Sequence, residues 1–390
     1  MPIAEKMLKM VEGSSLIRKM FEEGAKLKAQ YGADKVYDFS LGNPDVPPPE
    51  AFKNALKAMV EDENLTHGYM FNVGYPHVRE AVSKYIQTEY GIQIPGDLII
   101  MTSGATGALN DSLKALLNPG EEILVPCPYF VGYNHYAFVA NATLTTAESN
   151  EDFRLNFANI EKAINGKTRV MLINSPNNPT GVIYSAVELK QLGDVLERAS
   201  TKFGKRIYLI SDEPYRKIAY DVQPPSVFDA YPHTLLVTSF SKDLSLAGER
   251  IGYLAISPEA EDAALISRAA GVANTMFYVN APSLFQLAVA KSIGTTVDVG
   301  IYRRRRDMLC EGLSNAGYDF TTPDGAFYLF PKTPIKDDVQ FCRILLEERI
   351  LGVPGSGFGR AGYFRLSYAV PDVTIRDSIE GFKRAIRKVT

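Results

Sequence analysis

LLVTSFSKDLSLAGERIGYLAI, Leu235 to Ile256, sets the reading of the whole chain. It opens and closes with short apolar runs, LLVTSF (235–240) and GYLAI (252–256). Neither run alternates apolar with polar residues, so each predicts a strand covered on both faces by crossover helices. The intervening loop carries Lys242 and Arg250. In open α/β sheets ligands gather at the carboxyl ends of strands, which makes this loop a candidate site.

Working outward, five more runs of the same kind precede it: LIIMTS (98–103), EILVPC (122–127), ATLTTA (142–147), RVMLIN (169–174) and IYLISD (207–212). Seven such strands separated by helical stretches predict an α/β fold. Its large domain, residues 48–290, holds a mostly parallel seven-stranded sheet flanked by helices. Toward the N-terminus, residues 14–30 read as a helix and Val36–Leu41 as an extended piece. GNPDVPPP (42–49) is too rich in proline for a helix and reads as a stiff crossing between two bodies. A helix with Phe52, Leu56, Met59 and Val60 on one face follows, and another begins near Pro76. Beyond Pro282 a long helical stretch is expected to about Gly317, then strands at 326–331 and 363–369, a helix near 337–349, and a closing helix with Ile375, Ile379, Phe382, Ile386 and Val389 at helical spacing. Residues 291–390 with 1–47 therefore predict a smaller α+β domain.

Composition narrows the function classes. With 390 residues, two domains, or three, are expected at ~150 residues per domain. A net charge of -3 gives no support for a nucleic-acid or polybasic membrane surface. The run Arg303–Arg306 spreads around a helix and reads as a solvated or salt-bridged surface. Three scattered cysteines, Cys127, Cys310 and Cys342, suggest neither a disulfide framework nor a metal site. The start has no signal-peptide core and no run is long enough to span a bilayer, so a cytoplasmic location is expected. Gly357, Gly359 and Gly362 form a GxGxxG pattern, but a strand rather than a helix is expected after it, so it reads as a loop near the active site and not a dinucleotide fingerprint.

The better constellation lies at the strand ends: Ser103-Gly104-Ala105-Thr106, Pro128-Tyr129-Phe130, Asn177-Asn178-Pro179-Thr180-Gly181, Asp212-Glu213-Pro214-Tyr215 and Ser239-Phe240-Ser241-Lys242. Singly these are ordinary caps and turns. Together and in this order they resemble the class I/II aminotransferases, fold type I pyridoxal-phosphate enzymes of the aspartate aminotransferase kind, from Gly42 to Arg365. SFSKDLSLAGERIG (239–252) is the most specific part, with its small-x-small-Lys opening and an Arg eight residues after the Lys.

The resemblance implies pyridoxal 5'-phosphate as cofactor and Lys242 as the lysine that holds it as a Schiff base and then acts as acid and base. A lysine used this way must spend time unprotonated, which burial or nearby positive charge favours. Ser239 and Arg250 would take the phosphate, with the first-turn N–H groups of Gly104, Ala105 and Thr106. Asp212 would pair with the ring nitrogen, Asn178 and Tyr215 would donate to the ring's phenolic oxygen, and Phe130 or its neighbour Tyr129 would stack on the ring. Tyr69 would reach the phosphate from the partner of a homodimer with shared active sites. Arg365 would clamp the substrate α-carboxylate, assisted by Asn178 and the Gly42 backbone.

The implied reaction is ping-pong transfer of an amino group between an L-amino acid and a 2-oxo acid. A pyridoxal-phosphate lyase of the carbon–sulfur type would share Lys242, Asp212 and Arg365. A regulator with an aminotransferase-like domain would carry a DNA-binding domain, for which residues 1–40 are too few and insufficiently basic. One departure bears on substrate choice: Asn274–Pro282, where the aspartate-specific branch often carries an arginine for a distal carboxylate, has none. Dicarboxylates are therefore less favoured.

Overall fold

The computed structural model describes residues 3–12 and 16–389, leaving the first two residues of the expected 14–30 helix outside the described part. Leu16–Tyr31 is helical. All seven strands form one sheet: β1 (Ile99–Thr102), β2 (Glu122–Cys127), β3 (Thr143–Glu148), β4 (Thr168–Asn174), β5 (Tyr208–Asp212), β6 (Thr234–Ser239) and β7 (Gly252–Ile256). Their order across the sheet is β1-β7-β6-β5-β4-β2-β3. Only β7 is reversed, running antiparallel to both β1 and β6. The strands β2 and β4 to β6 therefore all end on the side where polar loops leave the sheet, and Lys242, Asp212 and Asn178 follow from adjacent strands.

Apolar continuity in the sequence follows from this arrangement, because β1 and β5 to β7 are buried almost throughout. The expectation of two covered faces fails for β3. It pairs only with β2, and of its residues only Ala147 is buried. An edge strand leaves room for threonine and glutamate to face water, which its Thr-rich sequence accommodates.

The described residues form two hydrophobic cores. One gathers residues from Phe52 to Val289 and draws in Phe330, Val353, Phe358 and Tyr363. The other joins Phe39 to residues between Val297 and Ala385, with Tyr215 and Ile218 inserted from the sheet side. Within this second core a three-stranded sheet places Phe364–Ser367 between Val353–Pro354 and Tyr328–Leu329.

Several expected elements are shorter. Only Tyr37–Asp38 of the 36–41 piece pairs, against Ile350–Leu351. The long helix after Pro282 is two helices, Ser283–Ser292 and Val299–Ala316. Gly294 adopts φ 89°, which ends the first, and Asp298 caps the second by accepting from the Gly300 N–H. In the helix Glu50–Val60, Phe52 and Met59 are buried, whereas Val60 at its last position is exposed.

The arginine run is only half a surface feature. Arg303 and Arg304 are exposed and pair with Asp221 and Asp372. Arg305 and Arg306 are buried, because adjacent helical positions point in different directions. Arg305 grips both oxygens of Asp45, at 2.7 and 3.0 Å, in the 42–49 crossing. That bidentate pair pins the irregular crossing beside the site.

Candidate active site

A cavity of about 280 Å³ opens where the strand ends meet the second core, lined among others by Gly42, Thr106, Phe130, Asp212, Lys242 and Arg365. The loop after β6 delivers Lys242, whose Nζ donates to the Gly42 carbonyl oxygen at 2.9 Å. Burial, reinforced by the positive charges of Arg250 and Arg365, pulls its pKa down to about 8. About a tenth of the amine is then neutral at pH 7, far more than for an ordinary lysine, which favours nucleophilic and proton-transfer work.

Asp212 ends β5. Its Oδ2 accepts from the Tyr133 hydroxyl at 2.7 Å, and the Asn174 side chain donates to its backbone oxygen at 2.8 Å. Oδ1 is buried with no partner among the described residues. Burial raises this carboxyl to about 7, the Tyr133 hydrogen bond opposing and Glu213 adding to the shift. A cationic N–H facing Oδ1 would reverse that rise.

At the other end of the cavity Arg365 leaves the small sheet. Nη1 donates to Asn178 Oδ1 at 3.1 Å and Nη2 to the Ser40 carbonyl at 2.6 Å, while Nε is buried without a partner among the described residues. The guanidinium carbon lies 4.7 Å from the Tyr328 ring centre and 4.8 Å from that of Phe358. Among the residues lining the cavity, the two orphaned buried polar atoms are thus an acceptor on Asp212 and a donor on Arg365.

The helix Gly104–Leu116 points its first turn, with Ala105 and Thr106, at the same space, and its cap residue Ser103 makes no side-chain capping bond. Gly104 has φ 68°, and a Cβ there would lie 2.8 Å from Arg250 Nη2. Glycine therefore lets the guanidinium approach the helix start. Arg250 itself is left-handed at φ 53°. The helix start, Arg250 and Ser239 thus line the same cavity, a set of groups suited to an anion.

Similarity to known proteins agrees with this geometry. The family model described as aminotransferase class I and II matches residues 34–382. The chain belongs to the class I and II aminotransferases. An aspartate aminotransferase from Thermotoga maritima is 33% identical over 93% of this chain and 95% of its own length. A crystal structure of an aminotransferase from Eubacterium rectale matches at TM-score 0.97 and 39% identity, covering 100% of both chains. Aspartate aminotransferase from Thermus thermophilus, solved with maleate, matches at TM-score 0.88 and 28% identity over 99% of this chain and 100% of its own. This aminotransferase is accordingly a transaminase, and the lyase reading is not favoured. Its family uses pyridoxal phosphate.

Of the residues singled out in the sequence, the aminotransferase fold brings Gly42, Ala105, Thr106, Phe130, Asn178, Asp212, Tyr215, Ser239, Lys242, Arg250 and Arg365 to one cavity. Gly104 stands directly behind Arg250. Tyr129 is outside the lining; its N–H donates to the Phe358 carbonyl at 3.1 Å. Tyr69 is fully exposed and is not among the lining residues. The Gly-rich segment includes a 3-10 turn, Gly355–Phe358, and precedes the strand Phe364–Ser367. Its Phe358 supports Arg365.

Sequence reasoning missed Tyr133, Asn174, Tyr328 and Phe358. Asn174 is the last residue of β4, so the strand-end rule applied strictly would have found it. Tyr133 opens a short helix, Tyr133–Ala140, and nothing local distinguishes it from a packed aromatic.

Proposed function

We propose that this transaminase holds pyridoxal phosphate in the cavity between the two cores and moves amino groups between L-amino acids and 2-oxo acids. The single observation that carries the reading is the placement of neutral-prone Lys242 together with the two orphaned atoms, Asp212 Oδ1 and Arg365 Nε. The residues fit the cofactor: Asp212 Oδ1 lacks only an N–H partner, and the Gly104 cradle suits a phosphate. Pyridoxal phosphate, when bound, supplies an electron-poor ring that accepts the electron pair left when a substrate Cα–H bond is broken.

The chain's own groups do the rest. Lys242 Nζ holds the cofactor, is displaced by the incoming amine, and then carries the Cα proton as base and returns it as acid. Asp212 keeps the ring nitrogen protonated. Asn178 and Tyr215 donate to the ring oxygen, with Asn178 Oδ1 committed to Arg365 and its Nδ2 left to donate. Arg250, Ser239 and the N–H groups of Gly104, Ala105 and Thr106 hold the phosphate, Phe130 covers the ring, and Arg365 with Gly42 orients the α-carboxylate. The two cores support a division into a large domain, 48–290, and a small one, 1–47 with 291–390. A cytoplasmic location fits the three free cysteines.

The half-reaction tests the assignment. Amino acid added alone to the loaded enzyme should yield the aminated cofactor and one equivalent of 2-oxo acid. Release of ammonia with multiple turnovers would indicate a lyase.

A homodimer with shared sites belongs to the same proposal. Tyr69 and Phe71 are exposed in a loop tied to the helix Ala263–Phe277 through Asn72 and Thr275, and Val272 and Met276 of that helix are also exposed. Exposed apolar side chains on a loop and a helix joined in this way support an interface there. Mixing Tyr69→Phe and Lys242→Ala chains should regenerate one intact site per hybrid dimer and recover activity. Full activity from a dilute monomer would contradict shared sites.

A further inference from the structure

Tyr328 is absent from every role assigned so far, yet it touches both ends of the machinery. Its hydroxyl lies 2.9 Å from that of Tyr215, and both residues are buried. Its ring packs under the Arg365 guanidinium at 4.7 Å. A Cβ on Gly42 would overlap the Tyr328 hydroxyl, so glycine at that position is what admits the tyrosine. The residue belongs to the small three-stranded sheet, where its neighbour across the ladder is Ser367, two residues past Arg365.

Each phenol has one proton to give. If Tyr215 donates its proton to the cofactor's ring oxygen, it has none left for Tyr328, and the bond between the two hydroxyls must run from Tyr328 to Tyr215. Burial pushes both phenols up and keeps them neutral, and the Arg365 charge works against that rise at each. Hydrogen bonds in such a chain polarise one another, so a donor onto Tyr215 strengthens the bond Tyr215 makes.

We propose that Tyr328 is a positioning residue with two separable functions: its hydroxyl strengthens Tyr215 as a donor to the ring oxygen, and its ring braces Arg365 for the substrate carboxylate. The hydroxyl function rests on the Tyr215 assignment made above. The less negative the ring oxygen, the less firmly it holds the proton on Lys242 Nζ. Loss of the Tyr328 hydroxyl therefore tightens that proton and raises the pH at which it leaves.

The test compares Tyr328→Phe, Tyr328→Leu, Tyr215→Phe and the Tyr215→Phe/Tyr328→Phe double variant. The readouts are the pH midpoint of the loaded enzyme's visible absorbance change and the KM for amino acids, with circular dichroism as the check on folding. Tyr328→Phe should raise the midpoint by roughly 0.5 to 1 pH unit, the value of one ordinary hydrogen bond, and leave KM within about twofold. Tyr215→Phe should raise it further, and the double variant should match Tyr215→Phe. Tyr328→Leu should in addition raise KM roughly 5- to 30-fold as the cation–π support is lost. A midpoint moved by Tyr215→Phe but not by Tyr328→Phe overturns the relay while leaving Tyr215 in place. A midpoint unmoved by Tyr215→Phe overturns the assignment on which the relay stands, and the relay with it. Equal KM in the Phe and Leu variants overturns the bracing function.

Discussion

Asp212 and Arg365 are the two charged groups that each keep one buried atom unpartnered in the cavity, and they are held in opposite ways. Asp212 stands at the end of a central strand of the large sheet and has one side-chain partner, Tyr133. Its charge is weakly compensated, and burial raises its pKa to about 7. Arg365 stands in the small sheet, donates two hydrogen bonds and is sandwiched between Tyr328 and Phe358. The carboxylate is left wanting a cation, as suits a permanent ring-nitrogen partner. The guanidinium is already braced and keeps a free donor, as suits a ligand that comes and goes. Burial pulls the Arg365 pKa down as well, so both groups are short of a counter-charge, the carboxylate for a resident cofactor and the guanidinium for a transient substrate.

That contrast is broken or sharpened by truncating each side in turn. Asp212→Ala should have the larger effect, lowering kcat roughly 100- to 10,000-fold while preserving the fold and phosphate anchoring, because ring protonation serves the proton-transfer step itself. Steady-state turnover near that of the unaltered enzyme would remove Asp212 from the mechanism. Arg365→Ala removes one member of a buried charge pair with the substrate, at about 2–5 kcal/mol. At about 1.4 kcal/mol per decade, kcat/KM for amino acids should fall roughly 30- to 3000-fold. Cofactor loading should be unaffected, since Arg250 and Ser239 lie at the other end, and amines lacking a carboxylate should lose far less. An equal loss for amines and amino acids would make Arg365 structural.

How much was legible in the sequence follows the same division. The seven strands could be read because apolar runs buried on both faces have few alternatives, and the strand-end rule then located Lys242, Asp212 and Asn178. The one misread strand, β3, lies at an edge of the sheet and, unlike β1 at the other edge, is left largely uncovered. In the second core the pairing segments are only two to four residues long, too short for a periodicity to declare itself. Tyr133 and Tyr328 were invisible for a related reason: each acts by a hydroxyl reaching across 79 or 113 positions, and no local pattern reports such a contact. Tyr69 is the converse case. Its suggested role came from family resemblance, while its own chain leaves it fully exposed.

The central claim is that Lys242 is the residue on which the cofactor is carried. Loading the apoprotein with pyridoxal phosphate, reducing with borohydride and sequencing the labelled peptide tests it directly. The loading rate should rise with pH through about 8, because burial lowers the Lys242 pKa and only the neutral amine attacks an aldehyde. The predicted result is one label per chain, on Lys242, absent from Lys242→Ala. Stoichiometric label on any other lysine would contradict the account.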